Sequence, residues 1–498
     1  MWASLLAVVL AAAVAAAPRP KLVVLIVAEQ FRADYVDRHQ SAFSAGGFRK
    51  LVQGGARFRE CRYGYAATYP ASGAAVLATG AYPERNGIVA EQWYDRRARR
   101  MVRAAEDPEM GSSPRRLVGT TLADQMRLAS GGRSRTVSIS LRDQTAVMLG
   151  GRLPAGCYWM DEAGRFVTGT YYKEALPGWA AKFQETHPAL RLRGRPWHAV
   201  DARESAPPLR VIDGPKVEDF LATYRASPLA VDEEFDFARE AIVGEELGQG
   251  PAADLLALSI SPLYLLGLEV GADSPLARDM VLRLDRKLEE FLSWLDGRFG
   301  AGNVWVVFTA TQGLSESPKT LEAAGISSGR ISGEQVAGAV NARLAAMFGR
   351  ANYVEKFVFP SLYLRREAVG ALRAEDVSRV AGEAVLGVEG VADYWGADRA
   401  GNPLLARCRF PDRTGDILLT YHPYYWERYG DARGVATGSP YAYDTRVPLI
   451  LYGAPFRART FEQPVSPTDL APTLAAALEI APPSSSTGRV LVETLKDQ

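Results

Sequence analysis

Residues 21–30, KLVVLIVAEQ, decide the fold of this chain. They form a nearly continuous run of β-branched residues and leucine, the pattern typical of a strand buried on both faces of a parallel sheet. Stretches that favour helices separate this run from five similar ones: RTVSISL from Arg135, DLLALSIS from Asp254, NVWVVFTATQ from Asn303, DILLTYHP from Asp416 and VPLILYG from Val447. The alternation predicts an α/β fold with a mostly parallel sheet between layers of helices.

The composition is that of an ordinary globular protein. Of the 498 residues, 47% are hydrophobic and 23% are charged, which excludes a disordered, collagen-like or mainly membrane-spanning chain. Lys and Arg number 58 against 57 Asp and Glu, a net charge of +1. Such a balance offers no electrostatic support for a nucleic-acid partner or for binding to an acidic membrane surface.

The first 17 residues have the features of a secretory signal peptide. Their apolar run is too short to span a bilayer and ends in small residues, so we expect cleavage near Ala17 and a periplasmic or secreted protein with no membrane span after cleavage. An exported chain can form disulfides. The three cysteines, Cys61, Cys157 and Cys408, allow at most one intramolecular bridge, and their spacing leaves the pairing open.

Two insertions interrupt the α/β pattern. Residues 18–314 are predicted to form the first part of the core, in which the aromatic, proline-rich stretch of about 156–229 predicts loops and hairpins laid across a site. Residues 315–412 predict a small α+β cap, with helices EQVAGAVNARLAAMFG and AEDVSRVAGEAVLGV and the strand candidate EKFVFPSLYL. Residues 413–498 are predicted to complete the core.

The segment around Pro70 predicts the start of a helix and a candidate anion-binding site. Proline is favoured at the first helical position, and small residues follow it to Thr79. Free N–H groups at such a start favour an anion, although a helix start packed under a strand end with no ligand gives the same pattern. Thr68 and Ser72 are candidate nucleophiles, but no base stands beside them in sequence and such hydroxyls commonly cap helices.

Several motifs, in order and spacing, resemble the alkaline phosphatase superfamily. The nearest branch comprises the single-chain periplasmic phosphatases and the type I phosphodiesterase/nucleotide pyrophosphatase group. The resemblance runs from Lys21 to about Leu491 and implies an alkaline-phosphatase-like fold that hydrolyses phosphate esters with two zinc ions and a Thr or Ser nucleophile. The motifs are VAEQFRADYV, ATYPASGAAVLATGAYPERNGIVAEQWYD, VSISLRDQTAVMLGG, CYWMDEAGRFVTGTYY, GSPYAYDTRVPLILYG and VSPTDLAPTLAAALEI.

The resemblance also implies which positions carry the chemistry, and here they hold other residues. The nucleophile position falls on Pro70, which has no side-chain oxygen. The metal-binding aspartate after the first strand corresponds to Glu29, which can still bind a metal ion. The remaining metal positions hold poor zinc ligands: Tyr264, Leu268, Thr311, Gln312 and Thr437.

The phosphate-binding positions implied by the resemblance are altered too. The asparagine that contacts a phosphoryl oxygen corresponds to Glu91, and the Lys-x-Arg pair to Arg142 and Gln144. No histidine follows a predicted strand where it could rebuild a zinc site; the chain has only His39, His187, His198 and His422. No cofactor is therefore predicted, and the alternative is a single Mg²⁺ or Ca²⁺ held by Glu29, Glu91 and carbonyl or amide oxygens.

Two hypotheses follow for function. The first is an inactive pseudo-phosphatase or pseudo-phosphodiesterase that binds a small anionic ligand or an envelope partner. The ligand would occupy the cleft that serves as the active site in the family, here called the old cleft, and would contact Glu91, Arg142 and Gln144. The cap and the aromatic segment 158–179 would supply its contact surface. The alternative is a divergent metal-dependent hydrolase of phosphate or sulfate mono- or diesters, with Thr68 or Ser72 as nucleophile.

Overall fold

A computed structural model describes residues 19–203, 205–399, 401–428 and 434–496. The predicted signal peptide, residues 1–17, lies outside the described residues. Within the described ranges, none of the helices combines the length and the apolar character needed to cross a membrane.

The strands of the described residues are as follows in chain order: β1 Leu22–Ala28, β2 Gly55–Arg62, β3 Gln92–Asp95, β4 Arg100–Arg103, β5 Glu106–Asp107, β6 Gly111–Ser112, β7 Thr136–Ser140, β8 Gly156–Met160, β9 Phe166–Val167, β10 Arg195–Trp197, β11 Arg210–Ile212, β12 Asp254–Ile260, β13 Val304–Ala310, β14 Gly329–Ile331, β15 Val354–Val358, β16 Ser361–Leu364, β17 Val391–Trp395, β18 Ile417–Tyr421, β19 Tyr425–Glu427, β20 Arg446–Tyr452 and β21 Arg459–Phe461.

The α-helices of the same residues are: α1 Tyr35–Arg38, α2 Phe48–Gly54, α3 Pro70–Thr79, α4 Pro83–Asn86, α5 Leu122–Ala129, α6 Asp143–Gly150, α7 Gly178–Thr186, α8 Val217–Arg225, α9 Pro228–Gly244, α10 Pro262–Val270, α11 Pro275–Phe299, α12 Pro318–Ala323, α13 Gly333–Phe348, α14 Arg366–Val369, α15 Ala374–Leu386, α16 Pro403–Ala406, α17 Ala442–Thr445 and α18 Leu470–Ala477.

The core is a mixed, mostly parallel sheet in the order β21-β2-β20-β13-β1-β12-β7-β8-β9. All seven residues of β1 are buried, and β1 pairs in parallel with β12 on one side and β13 on the other. Helices α6, α9 and α11 pack against β7, β12 and β13. The predicted α/β fold is confirmed. Because Ala28 stands opposite Ile260 and Ala310, the three strands end at one edge of the sheet.

The cap has its own sheet and its own core. Strands β15, β16, β18 and β17 form a four-stranded antiparallel sheet, and α13 and α15 pack together beside it. The two cap helices lie where the sequence predicts them. The single strand candidate EKFVFPSLYL is a hairpin of β15 and β16.

One predicted core strand belongs to the cap. The run DILLTYHP forms β18, which pairs with β16 and β17 rather than with the main sheet. A boundary at residue 412 is therefore wrong, because it separates β18 from its partners. Ile417 and Leu419 join the cap core while Leu418 joins the main core, so the run is buried on both sides as in a central strand. Hydrophobicity identified the strand but not the sheet that it joins.

The segment 156–229 is more regular than predicted. Strand β8 extends the main sheet in parallel with β7. The aromatic side chains of 158–179 largely pack inward: Phe166 stacks on Phe237 with ring centroids 3.9 Å apart, and Tyr158 and Trp179 contact the same Phe237 ring edge-on or tilted. The buried aromatic rings of this segment therefore help to stabilise the core.

The three cysteines are buried free thiols. Burial raises the pKa of Cys408 to about 12, and it raises the pKa values of Cys61 and Cys157 as well. Because the thiolate is the reactive form, all three are inert packing residues.

The helix predicted after Pro70 forms as α3, with Tyr69 as N-cap and every residue buried. Its first turn lies directly on the loop that follows β13. A Cβ atom added to Gly73 would lie 2.5 Å from the carbonyl oxygen of Thr311. This glycine therefore sets how closely α3 approaches the ends of the central strands.

We expect Gly73→Ala to lower the free energy of unfolding by about 1–3 kcal/mol, because backbone atoms cannot move aside easily. Gly338→Ala is the control, since Gly338 lies in α13 with open space around it. That change is expected to raise stability by about 0.5–1 kcal/mol through helix propensity. Urea unfolding of both variants measures the difference, and equal stability of the two would contradict the close approach.

Candidate functional site

The candidate site lies where the three central strands end. Glu29 follows β1, Ser261 follows β12 and Thr311 follows β13, and all three are fully buried. The extended pairing continues past the strands, because the Glu29 N–H donates to the Ile260 carbonyl at 2.9 Å. In α/β sheets, functional groups collect at such carboxyl ends.

Both oxygens of the Glu29 carboxylate accept hydrogen bonds from protein groups. Its Oε1 atom accepts hydrogen bonds from Ser261 at 2.9 Å and Ser259 at 3.0 Å, with a longer bond from Ser140 at 3.5 Å. Its Oε2 atom accepts a bond from Arg142 Nη1 at 2.9 Å. A carboxylate has about two lone-pair sites on each oxygen, and a metal ion at Oε2 would compete with the guanidinium of Arg142.

The start of α3 is occupied by the side chain of Glu91. The backbone N–H of Ala71, next to Pro70, donates to Glu91 Oε1 at 2.6 Å. Glu91 Oε2 accepts from Gln144 Nε2 at 2.9 Å and from Arg142 Nη2. Free N–H groups and the helix dipole favour negative charge at this position. The carboxylate of Glu91 is thus the anion that this helix start binds.

Arg142 connects the two carboxylates, and we name the group the Glu29–Arg142–Glu91 triad. Its guanidinium carbon also lies 4.7 Å from the ring centroid of Tyr264, within cation–π distance. Burial disfavours the charge of Arg142, but the ion pairs with Glu91 and Glu29 outweigh it and raise the pKa well above its ordinary value. The guanidinium is therefore a permanent cation inside the site.

The other positions implied by the resemblance lie on α10, in the loop after β13 and in the loop before α17. Gln312 is fully buried beside Thr311, and Val435 N–H donates to the Leu268 carbonyl at 2.9 Å. Thr437 is half-buried, and its neighbour Gly438 lies against the ring of Tyr69, the N-cap of α3. Backbone contacts join α10 to the segment before Thr437, and Thr311 lies against α3. The side chains at these positions are a phenol, an amide, two hydroxyls and an alkyl group, none of which is a usual zinc ligand.

The two candidate nucleophiles are held in structural contacts. Ser72 Oγ lies 2.9 Å from the Tyr65 hydroxyl and accepts the Tyr69 N–H at 3.2 Å, as a capping serine does. Thr68 Oγ1 makes a long bond to the Ser439 carbonyl at 3.5 Å. Burial raises the pKa of Tyr65 far above its ordinary value, so this phenol is no base for Ser72.

The residues of the site do not fit the two zinc ions that the resemblance implies. Among the described residues, no three His, Cys, Asp or Glu side chains group in a way that could hold a metal ion. Among the metal positions implied by the resemblance, only Glu29 carries a carboxylate, and it is paired with Arg142. A single Mg²⁺ or Ca²⁺ between Glu29 and Glu91 meets the same obstacle, because the guanidinium of Arg142 already lies between these carboxylates.

Sequence reasoning missed the polar side chains at the ends of β7 and β12 and on α9 that surround Glu29 and its neighbours. Ser140 and Ser259 donate to it, and Glu234 accepts the N–H groups of Leu141 at 3.1 Å and Ser261 at 3.4 Å. Burial raises the pKa of Glu234 well above its ordinary value, and the two backbone N–H groups that it accepts oppose part of this rise. The repeated Ser-Ile-Ser at the ends of β7 and β12 was the available signal for the serines.

Comparison with known proteins places the chain in a family. A model of the family described as type I phosphodiesterase / nucleotide pyrophosphatase matches residues 23–431. The chain is 28% identical over 523 residues to alkaline phosphatase PafA of Elizabethkingia meningoseptica, covering 96% of this chain and 95% of that protein. It is 27% identical over 524 residues to alkaline phosphatase PhoV of Synechococcus elongatus, covering 96% and 93%.

The similarity extends to three dimensions. The crystal structure of wild-type alkaline phosphatase PafA matches with a TM-score of 0.89 at 26% identity, over 96% of this chain and 99% of that chain. The chain belongs to the type I phosphodiesterase / nucleotide pyrophosphatase family, within the alkaline phosphatase superfamily.

Proposed function

We propose that this protein is a non-catalytic member of its family, a pseudo-phosphatase that acts outside the cytoplasm as a binding protein. The observation that carries the proposal is the Glu29–Arg142–Glu91 triad. Arg142 supplies the positive charge between the carboxylates, and Glu91 supplies the negative charge at the start of α3. The protein's own side chains thus replace both the metal ion and the phosphate of a metal-assisted hydrolase.

The absence of an attacking group supports the same proposal. Pro70 stands at the start of α3, and proline offers no oxygen or sulfur to attack phosphorus. The hydroxyls of Ser72 and Thr68 contact no base or cation in the described structure. The alternative of a divergent hydrolase built on these hydroxyls therefore finds no supporting contact.

The triad also argues against the old cleft as a site for small anions. Glu29 and Glu91 carry two negative charges against the single positive charge of Arg142, so the triad has a net charge of about −1 at neutral pH. An added phosphate would have to displace Glu91 from Ala71, Arg142 and Gln144 together. The binding function is therefore proposed for another surface of the molecule, and the apolar leader of the chain supports an envelope location.

We expect the purified protein to contain no stoichiometric zinc and to hydrolyse aryl phosphate monoesters and diesters at the background rate. The reason is the shortage of zinc ligands and the lack of a nucleophile. Pro70→Thr alone should leave the rate at background, because the new hydroxyl has no cation to activate it. Metal analysis and a chromogenic ester assay measure both, with alkaline phosphatase PafA assayed in parallel. Tightly bound zinc with turnover that Pro70→Thr leaves unchanged would overturn the proposal.

The triad should be essential for stability. Arg142→Met removes the cation between two carboxylates, one of them fully buried, and we expect it to lower the free energy of unfolding by about 3–5 kcal/mol. Arg165→Met is the control, because Arg165 forms an exposed pair with Asp161, and its effect should stay below about 1 kcal/mol. Denaturant unfolding compares the two. Similar small effects would show that the triad is not a stabilising unit.

Removing the internal anion should create a phosphate site. In Glu91→Ala the N–H of Ala71, the guanidinium of Arg142 and the amide of Gln144 lose their common acceptor. We expect millimolar inorganic phosphate to raise the melting temperature of this variant, because a ligand of the folded state stabilises it. The wild type and the control Glu84→Ala, which changes an exposed glutamate, should show no such rise. An equal rise in all three proteins would contradict an anion site filled by Glu91.

A further inference from the structure

The cap contains a cavity of about 830 Å³ that is separate from the triad. Its walls are α14 and the start of α15 on one side and the loop of residues 396–416 between β17 and β18 on the other, with Arg96 of the β3–β4 turn at its margin. Buried apolar side chains, among them Val377 and Ile417, line it. This volume lies in the range of pockets that hold small organic molecules, about 300–1,000 Å³.

The charges that line the cavity do not balance. Four arginines and two aspartates contribute to its walls: Arg96, Arg366, Arg399, Arg409, Asp412 and Asp416. Both aspartates already have partners, since Asp416 binds Arg96 at 2.5 Å and Asp412 binds Arg97 at 3.3 Å. Neither carboxylate is therefore available to neutralise a second arginine.

Two of the arginines keep uncompensated charges. Arg399 pairs with Asp393 and stacks on Tyr394. Within the part of the chain that the structure describes, the guanidinium groups of Arg366 and Arg409 form no ion pair with a carboxylate, and both residues are exposed. The cavity therefore presents two positive charges to a ligand, in a chain whose net charge is only +1.

The cavity also offers flat surfaces. The guanidinium carbon of Arg409 lies 4.7 Å from the ring centroid of the half-buried Trp395, and Phe410 forms part of the same wall. Indole rings and guanidinium groups both stack on planar groups, and guanidinium also binds carboxylate or phosphoryl oxygens in pairs. Aromatic and charged recognition elements thus stand side by side.

We propose that this cap cavity binds a small planar aromatic molecule that carries a dianionic group such as a phosphoryl or phosphonyl group. Arg366 and Arg409 neutralise the two negative charges, and Trp395 and the apolar lining take the ring. The proposal assigns the binding function to the cap, and it does not require the old cleft to be inactive.

The test uses 1-naphthylphosphonate, a dianionic aryl compound with no ester bond that a phosphoesterase could cleave. Calorimetric titration of the full-length protein is expected to show binding of one equivalent. Methylphosphonate, which lacks the ring, and 1-naphthalenemethanol, which lacks the charge, are expected to bind at least tenfold more weakly. Equal affinity for either partial ligand would overturn the proposed class.

Variants locate the site. The double substitution Arg366→Gln and Arg409→Gln is expected to raise the Kd for 1-naphthylphosphonate at least tenfold. Trp395→Leu is expected to reduce the ratio of the affinity for 1-naphthylphosphonate to the affinity for methylphosphonate. Arg343→Gln is the matched control, because Arg343 is a half-exposed cap arginine outside the cavity. Thermal melting checks that each variant is folded. Because the two lining arginines are exposed, their substitution is expected to change the melting temperature little.

Two results would overturn the inference: no binding by the wild type, or binding that the double variant leaves unchanged. The latter places the ligand elsewhere, for instance at the start of α3, where Glu91→Ala would then alter it. Ester hydrolysis by the wild type would refute the pseudo-phosphatase proposal without affecting the titration, so the two failures are distinguishable.

Discussion

The ion pairs of Arg142 organise the centre of this molecule. One guanidinium binds Glu29 at the end of the central strand and Glu91 at the start of α3, and it lies on the ring of Tyr264. Without it, two carboxylates would face each other in a region with little water. The arrangement of the strand ends, of α3 and of α10 therefore depends on a charge that the protein supplies itself.

The sequence predicted the scaffold well because local pattern determines it. The run 21–30 gave the central strand, and Pro70 with its small residues gave the start of α3. Strand β18 shows the limit, because a run buried on both faces fits either the main sheet or the cap sheet. The choice depends on partners far away along the chain, which hydrophobic periodicity does not encode.

The candidate site could be predicted only in part. The resemblance located Glu29, Glu91, Arg142 and Gln144, but it treated Arg142 and Gln144 as groups waiting for a ligand. The structure shows that they bind Glu91 instead. Arg142 stands 113 residues from Glu29 and 51 from Glu91, and no local pattern reports such a contact. The cap cavity was equally invisible, because its arginines come from separate loops and helices.

The pairing of Glu29 and Glu91 with one guanidinium limits how this site can change by single substitutions. A domain is stable by only about 5–15 kcal/mol, so losing the charge that neutralises Glu29 and Glu91 removes a large share of that margin. Under the proposed function a hydroxyl at position 70 has no effect by itself, because the guanidinium of Arg142 is already paired with Glu29 and Glu91. Under the proposed function, a gain of hydrolysis at this edge of the sheet therefore needs coupled substitutions, because replacing Arg142 alone is damaging and a hydroxyl at position 70 alone is without effect.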